Sequence, residues 1–137
     1  MITAVDTNIL IDVIKPDPLY GRTSAKVLAR CLSEGQLLLS DVTWAETTAA
    51  FTTNEAADNA IAKLGAEYSP TTRQAAGMAA KMWRRYRQAG GTRTRVIADF
   101  LIGAHALVCA DRLLTRDRGF FRKYFADLEI IDPSQAQ

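Results

Sequence analysis

Histidine is nearly absent from this sequence. His105 is its only imidazole, and Cys31 and Cys109 are its only thiols. That scarcity excludes zinc hydrolases built on several histidines and any His-rich metal cage. The two cysteines sit in apolar helical patterns without a short-spaced motif; they read as small buried hydrophobes, and the pattern leaves a disulfide open. No stretch approaches the roughly 18 unbroken apolar residues of a membrane span. Met1 to Asp6 carries no basic region and no long apolar segment, so no secretory signal is expected and the reading is a soluble cytoplasmic protein. If a metal works here, carboxylates must hold it, which favours a hard ion such as Mg²⁺ or Mn²⁺.

What is present is ordinary globular material. The 137 residues are 48% hydrophobic and 23% charged, enough for one domain, 1–137, with a real core. The net charge of +2 hides an asymmetry: residues 79–125 hold eleven basic and three acidic residues, residues 1–78 six basic and nine acidic. A basic half facing an acidic cluster suits a protein that holds a polyanion near a metal, although a plain solvated surface gives the same count. Four short apolar runs, Ile2 to Val5, Leu37 to Leu39, Leu113 to Thr115 and Leu128 to Ile131, read as buried strands. Between them, helical periodicity is expected from Thr7 or Asn8 to Ile14, over Arg22 to Glu34, from about Val42, over 55–66 and 71–88, from Ala98 to Ala110, and over 118–125. Buried strands alternating with helices predict an α/β domain with a mainly parallel sheet, whose ligands bind beyond the carboxyl ends of the strands. Asp6 and Asp117 stand there, each just after a strand.

Four stretches carry the chemistry: Val5-Asp6-Thr7-Asn8-Ile9-Leu10, Trp44-Ala45-Glu46, Ala98-Asp99-Phe100-Leu101-Ile102-Gly103-Ala104, and Leu113-Leu114-Thr115-Arg116-Asp117. Singly, each acid has a plainer role. Asp6 caps a helix, Glu46 completes a capping box with Thr43, Asp99 marks a helix terminus, and Asp117 is a turn acid before Gly119. All four in this order, over nearly the whole chain, resemble the PIN-domain family and most closely its VapC-type toxin ribonucleases. The resemblance implies a PIN-like three-layer α/β/α sandwich with a central, mainly parallel sheet of four to five short strands. It also implies that Asp6, Glu46, Asp99 and Asp117 converge on one or two Mg²⁺ or Mn²⁺ ions, supported by Thr115 and Asn8.

The chemistry supplies a separate reason for such a cluster. Phosphodiester hydrolysis needs a nucleophile from water and stabilised charge on the phosphoryl and leaving oxygens, which carboxylate-held divalent ions provide. The resemblance further implies a metal-dependent endoribonuclease, the toxin of a VapBC-type pair, forming a homodimer held by an antitoxin with helices in residues 22–66 as groove walls. A PIN-type RNA-processing nuclease without antitoxin, or a non-catalytic module binding RNA or a partner, is the alternative. RNA contacts are expected from Arg84, Arg85 and Arg87, with Trp83 and Tyr86 interleaved, from Arg93 and Arg95, and from Arg116 and Arg118 beside Asp117. The helix arginines serve equally as a solvated face. Asp12, on the helix leaving Asp6, is a solvated or capping acid, and His105 a satisfied, buried histidine.

Overall fold

The computed structural model describes residues 1–92 and 96–134. Five strands form one sheet in the order β3-β2-β1-β4-β5, with every pairing parallel. They are β1 (Ile2–Val5), β2 (Gln36–Leu39), β3 (Ala66–Tyr68), β4 (Arg112–Leu114) and β5 (Glu129–Ile131). Around them run α1 (Thr7–Ile14), α2 (Gly21–Ser33), α3 (Asp41–Ala49), α4 (Asn54–Lys63), α5 (Arg73–Gln88), α6 (Ile97–Cys109) and α7 (Arg118–Tyr124). The expected α/β/α sandwich with a parallel sheet is the observed fold.

Strand alternation divides the core in two. Ala4 pairs in register with Leu113, and both face a cluster formed with Phe100, Ile102, Phe121 and Phe125 from α6 and α7 and its border. Val5 pairs with Leu114, and both face the opposite layer, with Ile9 and Leu10 of α1, Val27 and Leu28 of α2, and Ile61 of α4. A run buried on both faces has no polar side to show, so these strands read as unbroken apolar segments. Pro16 and Pro18 lie just past the end of α1, and Gly90, at φ 80°, takes the left-handed turn that ends α5.

Several local expectations change. The helix α1 begins at Thr7, not Asn8, and Asp6 does take its plainer role as the cap, its carboxylate accepting from the Thr7 N–H. In α3 the Ser40 hydroxyl oxygen accepts from the Thr43 N–H, so Thr43 lies inside the helix and forms no capping box with Glu46. The segment 66–68, expected within or beside a helix, is the edge strand β3. Both cysteines are free. Gly103 faces the ring of Phe125.

The topology singles out one place on the sheet. From β1 the chain moves outward to β2 and β3, then crosses back beyond β1 to β4 and β5. Connections therefore leave the neighbouring strands β1 and β4 in opposite directions. Such a switch point opens a crevice at the carboxyl ends of the strands, where parallel α/β folds place their ligands.

Candidate functional site

Asp6 follows β1 directly, and Thr115 follows β4, so the switch point brings the two together. The Thr115 hydroxyl donates to Asp6 Oδ2 at 2.7 Å, while the Thr7 N–H donates to Asp6 Oδ1 at 2.7 Å. Asn8 Nδ2 lies 3.3 Å from Asp6 Oδ2 and 3.5 Å from Thr115 Oγ1. Thr115 Oγ1 also accepts from the Asp117 N–H at 3.0 Å, and Asn8 Oδ1 accepts from the Arg116 N–H at 3.3 Å. A single hydroxyl thus ties the acid after β1 to the backbone of the acid after β4. Both supporting residues named from sequence, Thr115 and Asn8, stand in this network.

Asp6 is 7% exposed. Burial pushes its carboxyl up from 3.8 to about 6, against the hydrogen bonds from Thr115 and Thr7 and with the negative charges of Glu46 and Asp99. Those two charges place Glu46 and Asp99 within electrostatic reach of Asp6. Glu46, exposed on α3, accepts from the Thr7 hydroxyl at 2.7 Å through Oε1. Asp99, in the first turn of α6, accepts from the Val96 N–H at 3.2 Å. Asp117 occupies the N-cap position of α7. Among the described residues no three acidic, His or Cys side chains are gathered tightly enough to cage an ion as they stand.

The donor set nevertheless fits a hard divalent cation. It consists of carboxylate and hydroxyl oxygens around one buried acid whose ionised form is disfavoured by burial and by like charge. A cation relieves both.

The cations expected to meet RNA divide. Arg84, Arg85 and Arg87 are exposed on α5, and Arg118 is half-buried at the start of α7. Arg93 and Arg95 lie outside the described residues. Arg116 is turned elsewhere. Its Nε donates to Asp12 Oδ2 at 2.7 Å, its Nη2 to Asp12 Oδ1 at 3.0 Å, and its guanidinium lies 4.1 Å over the Tyr20 ring. Ser24 Oγ donates to the same Asp12 carboxylate at 2.9 Å. Asp12, read from sequence as solvated or capping, is therefore a buried anchor joining α1, α2 and the β4–α7 loop. No spacing in the sequence pairs positions 12 and 116. His105 is 1% exposed and meets Ser69 Oγ at 3.0 Å; burial holds its imidazole below the usual range, against the Ser69 backbone and the Asp41 charge. It is a satisfied core residue.

A parallel three-layer domain with acids at the switch point of its sheet defines the class of protein. The PIN-domain model matches residues 3–126, so the chain belongs to the PIN-domain family. Its fold is similar to VapBC-1 from nontypeable Haemophilus influenzae, with TM-score 0.75 and 25% identity over 98% of this chain and 100% of that one. It is similar also to FitAB bound to an IR36 DNA fragment, with TM-score 0.75 and 26% identity over 100% of this chain and 98% of that one. VapC20 of Mycobacterium tuberculosis, named as a sarcin–ricin-loop-cleaving toxin, aligns at TM-score 0.63 and 15% identity over 92% of this chain and 98% of that one, which speaks to the fold alone. The curated proteins contain no match. Among the described residues no helix is long and apolar enough to cross a membrane.

Proposed function

We propose that this chain is a divalent-metal-dependent endoribonuclease, the toxin of a VapBC-type pair, with its centre at Asp6, Glu46, Asp99 and Asp117. The observation that carries the reading is the buried Asp6 carboxylate, held by Thr115 and Thr7 and raised to about 6 by burial and by the neighbouring charges. These four acids would hold one or two Mg²⁺ or Mn²⁺ ions, which when bound supply a water nucleophile at neutral pH and neutralise charge on the phosphoryl and leaving oxygens. Thr115 fixes the orientation of Asp6 and, through the Asp117 N–H, the start of α7. Asn8 restrains both sides of the crevice, and Thr7 holds Glu46 at its rim.

Likeness to VapBC and FitAB complexes supports an antitoxin partner; a dimeric toxin is part of the same proposal. A cavity of about 590 Å³ bounded by Trp44, Ala45, Thr48 and Tyr68 lies among α3, α4 and β3, within the segment expected to seat an antitoxin. The open arrangement of the acids among the described residues favours one competing reading, a binding module that keeps the fold without the activity.

The test is incubation of purified protein with total cellular RNA in Mg²⁺ or Mn²⁺, in chelator, and as Asp99→Asn. The nuclease gives discrete ends that disappear in chelator and in Asp99→Asn. Ends that persist in Asp99→Asn contradict the assignment of the centre. RNA that binds but stays intact under every metal condition supports the binding module. Suppression of cutting by the product of a neighbouring small reading frame tests the antitoxin.

A further inference from the structure

Away from the acids, α5 and α7 border a trough with an unusual lining. One cavity, of about 540 Å³, lies among Met78, Lys81, Met82, Arg85, Leu107 and Lys123. A second, of about 510 Å³, continues from it past Tyr86 to the Gly90–Thr92 turn and shares Met82, Arg85, Lys123 and Tyr124 with the first. From Gly77 to Ala89, α5 flanks the trough for about 18 Å of helix. Its upper end is bordered by Tyr86, whose ring is tilted against that of Phe100, the residue after Asp99, with centroids 5.5 Å apart. Phe100 also packs on Phe120 and Tyr124 of α7, the helix that begins just after Asp117. The trough thus runs towards the end of the molecule that carries the acids.

Its charge is of one sign except at the far end. Lys81, Arg85 and Lys123 are exposed along its sides, and among the described residues Asp127 is its only acidic lining residue. The ion pairs among the described residues lie elsewhere, on Glu34 and Asp12. Arg85 instead rests its Nη1 3.8 Å from Met82 Sδ, and Lys123 Nζ lies 5.4 Å over the Tyr124 ring. Arg84, Arg87 and Arg122 add positive charge to the same two helices. This density, with Asp127 the one carboxylate among the described lining residues, matches a polyanion better than a peptide carrying a few acids. The floor of Met78, Met82, Leu107 and Tyr124 is apolar, adaptable and aromatic, the surface that unpaired bases take without regard to sequence.

We propose that the α5–α7 trough binds a single-stranded stretch of RNA flanking the bond to be cut, with Lys81, Arg85 and Lys123 on successive phosphates and bases against Met82 and Tyr124. The proposal rests on the nuclease reading and adds a substrate-binding track to it. Sequence alone marked the basic α5 helix and, on α7, only Arg118; Lys123 joins the cluster through the packing of α7 against α6.

The test measures binding of a roughly 16-nucleotide mixed-sequence single-stranded RNA between about 50 and 200 mM NaCl. The full chain carries Asp99→Asn so that the RNA stays intact. It is compared with the same chain bearing Lys81→Gln/Arg85→Gln/Lys123→Gln, and with a charge-matched control bearing Arg22→Gln/Lys26→Gln/Lys63→Gln. Each contact contributes about 0.7 to the slope of log affinity against log salt, so the trough variant loses about 2 of slope and at least about tenfold in affinity at low salt. The control keeps both. If the trough variant keeps its slope while the parent binds, the track is overturned and the nuclease stands; a trough shaped for an acidic protein segment gives this result. Equal losses in control and trough variants also overturn it, since net charge alone would then explain binding. Failure of the parent to bind RNA, with no metal-dependent cutting by the unsubstituted chain, overturns the nuclease reading and the track together. Because all six positions are exposed, the variants are expected to fold; the single Lys81→Gln variant, losing about 0.7 of slope, checks the result with minimal perturbation.

Discussion

Asp6 makes the centre a cost to the metal-free fold, and the size of that cost follows from its surroundings. Its carboxyl titrates near 3.8 in an unstructured chain and at about 6 in the folded protein, a gap worth about 3 kcal/mol. Between these values the folded protein holds a proton that the unfolded chain has released. Stability attributable to Asp6 therefore falls as pH rises from about 3.8 to about 6 and stays low above it. Asp6→Asn removes this dependence. The wild-type stability minus that of Asp6→Asn, from urea unfolding in chelator, should decline by about 2.5 kcal/mol from pH 3.8 to pH 7. That is about 1.2 M in midpoint for a urea dependence of about 2 kcal/mol per molar. Glu34 and Asp41, whose carboxyls are held low by Arg112 and, against burial, by Thr71, tilt both profiles in the other direction and cancel in the difference. Mg²⁺ at about a hundredfold over its dissociation constant should restore about 2.7 kcal/mol to the wild type at pH 7.5 and little to Asp6→Asn. A flat difference profile, or one rising with pH, refutes the reasoning.

Other perturbations have definite outcomes. Asp12→Ala strands the Arg116 guanidinium and the Ser24 hydroxyl, and should cost about 3 kcal/mol in urea unfolding, with most of it recovered in Asp12→Leu/Arg116→Met; a loss under about 1 kcal/mol contradicts the anchor. Thr115→Val removes a hydrogen bond that lowers the Asp6 pKa and should move the acid limb of the pH–rate profile upward; an unmoved limb separates Thr115 from the chemistry. Gly103→Ala places a Cβ 2.4 Å from a ring carbon of Phe125 and should cost about 1–3 kcal/mol in thermal or urea unfolding, whereas an unchanged midpoint means that the ring moves freely.

The sheet's interior was legible because burial on both faces forces continuous apolar runs, as in Ile2 to Val5 and Leu113-Leu114. The edge strand β3 was not. Ala66-Glu67-Tyr68 is three residues long, mostly exposed, carries a charge, and pairs only with β2, so nothing in its pattern separates it from the end of α4. The placing of Asp6 and Asp117 just beyond strands was legible from the apolar runs before them, and Thr115 and Asn8 lie in those same two motifs. The anchor was not, because Asp12 and Arg116 meet through tertiary packing across 104 residues of sequence. Arg116 shows the limit most clearly: its position beside Asp117 suggested a phosphate contact, but a buried carboxylate holds its side chain. Helix-capping errors had a simpler origin. Asp6 lies one residue and Ser40 two residues before the expected helix starts, and a short polar side chain at either place competes equally for the first free N–H groups.

The most direct test of the central claim removes the acids one at a time. Cutting of an RNA defined by end mapping would be timed in Mg²⁺ for Asp6→Asn, Glu46→Gln, Asp99→Asn and Asp117→Asn, with Asp58→Asn, outside the crevice, as the reference. Each of the four should lose at least about a hundredfold in rate while Asp58→Asn keeps the wild-type rate. Full-rate, metal-dependent cutting by any one of the four contradicts a single centre built on these acids.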